Sequence, residues 1–178
     1  MSADCWGTTV IEVSVKSLAL DRASKSPVVI LREVGSDRIL PIWIGPREAS
    51  AIAMHMGGYS FQRPLTHDLL AAVVSGMGGS LQRVLITRVE ESTYFAEMII
   101  DRGGSLISVD ARPSDSIALA LRLEARIFAD DSLLAEVGGS VEVVEGEEDG
   151  ETESQMSADQ LAEHLRHLRP EDLGRFEA

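Results

Sequence analysis

Apolar and polar positions alternate along residues 9–15, with Ile11, Val13 and Val15 on one side and Val10, Glu12 and Ser14 on the other. A period of two predicts a half-buried strand. Residues 28–33 and 39–44 are two further β-rich runs, and Val34-Gly35-Ser36-Asp37-Arg38 between them reads as a hairpin. Gly45-Pro46 then opens a helix to about Met56, with Ile52 and Met56 four residues apart and Gly57-Gly58 as its stop. Thr66 is placed to cap a second helix. Its Leu69, Leu70, Val73, Val74 and Met77 form an apolar stripe of the kind that faces a core.

Strand patterns return at residues 83–90, 93–101 and 105–110, joined tightly at Glu91-Ser92 and Gly103-Gly104. A third helix starts at Pro113 or Ser114 and runs through Ile117 and Leu121 to about Glu124. A short β-like Arg126-Ile127-Phe128 and a helical turn at 133–137 follow. Tight connections and inserted helices predict an α+β fold: two antiparallel β-meanders forming one compact domain over residues 1–140. Residues 141–156 read as an acidic flexible linker. Residues 157–178 read as a C-terminal tail with a short helix carrying Leu161, Leu165 and Leu168. So short a helix is marginal alone, so its stripe is expected to dock on the body or on another subunit.

Charge sharpens this division. The net charge is −13, but residues 142–178 hold 12 acidic and 3 basic side chains, leaving 17 and 13 in the body. The body is only mildly acidic, which argues against a broad electrostatic grip on polyanions yet leaves room for a local anion site. No basic and apolar leader pattern opens the chain and no apolar run reaches spanning length, so a cytoplasmic protein without a membrane is expected. The single cysteine, Cys5, excludes an intramolecular disulfide and a cysteine-rich zinc site.

Three times an arginine adjoins a proline where a helical pattern begins: Pro46-Arg47, Arg63-Pro64 and Arg112-Pro113. Proline suits the first helical turn, and the free N–H groups beyond it form a positive pole that a guanidinium reinforces for phosphate or carboxylate. Arg47, Arg63 and Arg112 are therefore the candidate substrate-binding residues. Asp110 and Asp115 flank a strand-to-helix corner, and with Glu48 they are candidate ligands for a divalent ion, Mg²⁺ or Mn²⁺. His67 and Asp68 offer a general acid or base and a second carboxylate beside Asp110 and Asp115. Each has a structural alternative: Asp68 and Asp115 as capping residues, Asp110 paired with Arg112, Glu48 on a solvated face. His55 reads as a packing or helix-end residue. His164 and His167 lack a third ligand. Trp43 and Phe61 flank the first helix and can stack on bases, though Trp43 in a β-rich run reads as core.

Leu40-Pro41-Ile42-Trp43-Ile44-Gly45-Pro46-Arg47-Glu48-Ala49, Arg63-Pro64-Leu65-Thr66-His67-Asp68-Leu69-Leu70 and Asp110-Ala111-Arg112-Pro113-Ser114-Asp115-Ser116-Ile117-Ala118-Leu119-Ala120-Leu121-Arg122 resemble the bifunctional nuclease domain family over about residues 9–138. The resemblance implies an α+β domain that self-associates, as a dimer or larger, and that cleaves DNA and RNA. No catalytic set comes with it. The resulting expectation is metal-dependent hydrolysis of phosphodiester bonds with weak sequence preference. The alternatives are a non-catalytic anion- or nucleotide-binding regulatory module, or arginine–proline–aspartate elements that only hold the fold together.

Overall fold

The computed structural model describes residues 9–21 and 24–137. Its elements, in order, are β1 (Val10–Leu20), β2 (Pro27–Glu33), β3 (Ile39–Trp43), α1 (Pro46–Met56), α2 (Thr66–Gly76), β4 (Gly79–Glu90), β5 (Thr93–Arg102), β6 (Ser105–Ala111), α3 (Pro113–Leu123), β7 (Arg126–Asp130) and α4 (Asp131–Val137). All seven strands form one sheet in the order β3-β2-β1-β7-β4-β5-β6. The fold is α+β, with two antiparallel meanders as the alternation predicts. The short Arg126-Ile127-Phe128 run is more than an appendage: β7 sits between the meanders, antiparallel to β1 and parallel to β4.

The meanders turn tightly because the chain adopts positive φ at the corners. Gly103 and Gly104 do so at no steric cost, whereas Glu91 (φ 47°) and Ser92 (φ 65°) bear it with side chains. One face of the sheet carries the core. Val29, Leu31, Leu40, Ile42, Val84, Ile86 and Ala96 pack there with Ile52 and Ala53 of α1 and with Ile117, Leu119 and Ala120 of α3. Helix α3 is central, buried at Pro113, Ser114 and from Ser116 to Ala120, and both α1 and α2 lean on it. Each large aliphatic side chain so buried contributes about 1.5–3 kcal/mol. Val28, Ile30 and Ile39 form a small second cluster.

Two sequence readings fail here. No residue of α2 is buried. The partly covered residues are His67, Asp68, Ala71 and Val74, while Leu69, Leu70, Val73 and Met77 face outward. Helical spacing located the stripe but not the side the helix turns to its neighbours, and the smaller Ala71 lets α2 lie close to α3. Trp43, expected in the core, is half exposed at the last residue of β3. The acidic linker, the tail with its leucines, His164, His167 and Cys5 lie outside the described residues.

Candidate functional site

The residues before α1, α2 and α3 (Gly45, Leu65 and Arg112) are all extended, and the chain enters each helix at Pro46, Thr66 or Pro113. The packing of α1 and α2 on α3 brings residues from all three first turns to one cleft of about 620 Å³. Arg47, Glu48, Leu65, Thr66, His67, Arg112, Asp115 and Arg122 are among the side chains lining it. All three arginine–proline starts thus reach the site, the second through Pro64 and not through its arginine. Arg63 is exposed and stands outside the lining.

Asp115 is the hub. Its Oδ1 lies 3.2 Å from His67 Nε2, and its Oδ2 accepts a 2.8 Å hydrogen bond from Arg112 Nε. Arg112 Nη2 also reaches Oδ1 at 3.3 Å, so the guanidinium grips the carboxylate with two nitrogens. Its Nη1 lies 2.9 Å from Glu48 Oε1. Burial pushes the Asp115 carboxyl up, but the hydrogen bonds from Arg112 and His67 and their charges outweigh it and hold it below the ordinary carboxylate value. A carboxylate only accepts, so His67 Nε2 carries the proton in this contact and Nδ1 is left as the basic ring atom. The Arg112 guanidinium is held more firmly protonated, first by its hydrogen bonds to Asp115 and then by that charge.

Besides Arg63, two candidates leave the site. Asp110 pairs across the ladder with Glu97, between Ala96 and Met98 of the buried face, so strand alternation turns it to the opposite side of the sheet from Asp115. It neither lines the cleft nor pairs with Arg112. Asp68 is also turned aside. Its Oδ1 meets Arg122 Nε at 2.5 Å, and its Oδ2 accepts the Leu65 N–H at 2.9 Å, capping α2 in place of the expected Thr66. The bond from Arg122, above all, holds the Asp68 carboxyl below its usual range.

Sequence reasoning passed over Arg122. Its side chain is only 7% exposed, and besides Asp68 it donates to the carbonyls of Ala118 (2.9 Å) and Ala51 (3.2 Å). One guanidinium therefore ties α1, α2 and α3 together behind His67. The available signal was an arginine inside the apolar run from Ile117 to Leu123. Gly45 was read only as a helix start, yet a Cβ there would collide with the Glu48 carboxylate.

Among the described residues, no group of three or more His, Cys, Asp or Glu side chains is gathered for a metal ion. Glu48 and Asp115 do face one another across Arg112, but the guanidinium holds the place a cation would take. As arranged, the donor set does not fit a resident divalent ion.

Comparison with known proteins agrees with the motifs. The family model for the bifunctional nuclease domain matches residues 29–142. An uncharacterised protein of Mycobacterium tuberculosis is 38% identical over 161 residues, covering 90% of this chain and 96% of its own. A bifunctional nuclease of Oryza minuta is 27% identical over 161 residues, and bifunctional nuclease 2 of Arabidopsis thaliana is 29% identical over 108. The alignments span 47% and 33% of those two plant proteins, against 89% and 59% of this chain. No described helix is long and apolar enough to cross a membrane. The chain belongs to the bifunctional nuclease domain family.

Proposed function

We propose that this domain is a nuclease that hydrolyses phosphodiester bonds of DNA and RNA with weak sequence preference, in the cleft between α1, α2 and α3. The observation that carries the reading is the His67–Asp115 pair, set in a cleft that Arg47 and Arg112 also line. Asp115 orients the imidazole, and Nδ1 takes a proton from water as the water oxygen attacks phosphorus. The bond to the leaving oxygen breaks, and His67 returns the proton to that oxygen. Arg47, exposed at the start of α1, and the outer edge of Arg112 meet the charge on the non-bridging oxygens. Plant relatives named for nuclease activity support the reaction class. The chain is read as cytoplasmic, with nucleic acid as its partner.

A Mg²⁺ or Mn²⁺ requirement is carried as a narrower proposal. The ion would bind Glu48 and Asp115 only after Arg112 has swung out, and no step above is routed through it. The rival reading, a non-catalytic module that binds nucleotides or other anions, is favoured by one observation: Arg112 is 66% exposed at the cleft and poised to exchange carboxylates for a ligand anion. Incubating the full chain with labelled single-stranded DNA and RNA, with and without Mn²⁺, decides between them. Cleavage lost in His67→Gln supports the nuclease. Saturable binding with no cleavage under any condition supports the rival.

A further inference from the structure

The cleft has a charged end and an apolar end. Arg47, Ala51 and Met54 line it at spacings of four and three residues, so they share one side of α1, and the cleft runs from the charged first turn to Met54 about 10 Å along the helix. Pro64 and Leu65 continue the apolar end. Residues 57–65, which join α1 to α2, are exposed throughout and carry two aromatic side chains. The Tyr59 ring lies over Gly57, where a Cβ would meet it at 2.7 Å. Phe61 is 45% exposed. Three residues of chain span at most about 11 Å, so Phe61 stands at the rim of the wall that Pro64 begins. Positive charge is scarce here. Glu48, Asp68 and Asp115 cancel all but one of the charges of Arg47, Arg63, Arg112 and Arg122, and they pair directly with the last two.

We propose that the cleft selects unpaired strand over duplex, with one base lodged against Met54, Pro64 and Leu65 and a neighbouring base stacked on Phe61. This rests on the nuclease reading and names its substrate class. Arg47, Arg63 and Arg112 can each meet one phosphate, against about six to ten contacts in proteins that hold a duplex by charge. So few contacts leave the bases to supply much of the affinity. A duplex hides its base faces in the stack, whereas unpaired strand offers them to a ring. The cleft volume of about 620 Å³ agrees, being of the size that encloses one small ligand and too small for a double helix. Every base has a π face, so stacking on Phe61 is tolerant of sequence. Trp43, exposed to a similar degree, has no part in this. Strand alternation sets it on the opposite side of β3 from Leu40 and Ile42, which pack in the core with Ile52 of α1.

Fluorescence anisotropy with a short fluorescein-labelled oligonucleotide, presented as a single strand or as its blunt duplex, tests this. The full chain carries His67→Gln, which removes the proposed proton acceptor and keeps binding apart from cleavage. The single strand is expected to bind at least about 10-fold more tightly than the duplex. Its log affinity should fall with log salt at a slope of about −2, from about −0.7 for each of three phosphate contacts. Phe61→Ala should weaken single-strand binding about 5- to 150-fold, the range of one stacked base, and leave duplex binding unchanged. Phe61→Leu keeps the bulk without the ring and should lose nearly as much, while Phe61→Tyr should restore binding. If Phe61→Ala loses its folded circular dichroism spectrum, Phe61→Leu against Phe61→Tyr carries the comparison. Equal affinity for strand and duplex, or native-like binding by Phe61→Leu, overturns the proposal. Cleavage rates of the chain with His67 intact separate it from the reading beneath it. Equal cleavage of strand and duplex overturns strand selection and leaves the nuclease standing, whereas single-strand binding without any cleavage supports the occupant and removes the nuclease.

Discussion

His67 Nε2 and Asp115 Oδ1 lie 3.2 Å apart although 48 residues separate them in the chain. One stands in the first turn of α2 and the other in the first turn of α3, so packing of the two helices creates the contact. Under the proposed function the pair would couple folding to chemistry, and substituting its members separates those roles.

Asp115→Asn keeps the shape and some hydrogen bonding but loses the charge that orients His67 and holds Arg112. Stability is expected to fall by about 1 kcal/mol. Cleavage should fall by at least about 100-fold, the lower range of what a positioned acid or base contributes. Initial rates and melting curves on one preparation check both. A rate that follows only the loss of folded protein would reduce Asp115 to a helix-supporting residue.

If the proposed metal requirement holds, a divalent ion would have to displace Arg112 from Glu48 and Asp115. Arg112→Gln should therefore bind Mn²⁺ more tightly than the native chain, because it leaves two neighbouring carboxylates without their cation. Calorimetric titration of the two proteins reads the difference. Equal affinities would show that these carboxylates are not ligands.

Acid should unfold the domain through its paired carboxylates. Asp68, Asp115 and Glu33 are all held below their ordinary values, so the native state binds fewer protons than the unfolded chain. Their stabilisation is complete above the unfolded carboxylate range, about pH 4, and is lost as pH falls through the lower folded values. Urea midpoints measured between neutral pH and about pH 3 should decline, and less steeply in Asp68→Asn. The same slope in native and variant chains would remove Asp68 from this account.

Arg122→Met keeps the apolar stem and removes the charge. Two carbonyls and Asp68 lose their donor, at a cost of about 1–3 kcal/mol, below that of a fully buried pair because Asp68 is partly exposed. The loss should appear in chemical denaturation, and His67 ring resonances should shift as α2 loosens against α3. Unshifted resonances would mean that α2 is held elsewhere.

Much of the architecture was legible because it is local. Strand alternation, paired turn residues at Glu91-Ser92 and Gly103-Gly104, and Pro46 and Pro113 at helix starts each act within a few residues. Non-local pairings were not. Nothing within residues 126–130 says that they lie between β1 and β4, and Asp110 looked close to Asp115 in sequence while strand alternation sends it to the other face. Arg47, Glu48, His67, Arg112 and Asp115 line one cleft while Arg63, Asp68 and Asp110 do not; Arg122 was hidden inside an apolar run, and the partner of Arg112 could not be chosen from spacing. The stripe on α2 misled most, since periodicity records which residues share a side and not what lies opposite.

The place of β7 has a kinetic consequence. The first three strands and the next three share no hydrogen-bonded ladder, and only Arg126–Asp130 joins β1 to β4. On a growing chain both meanders can form their hairpins early, yet each must wait with an open inner edge until residue 130 has emerged. Closure of the sheet is then a late, long-range event that resists acceleration by stronger local turns. A nascent chain halted before residue 126 would expose β1 and β4 together, the two longest strands of the sheet.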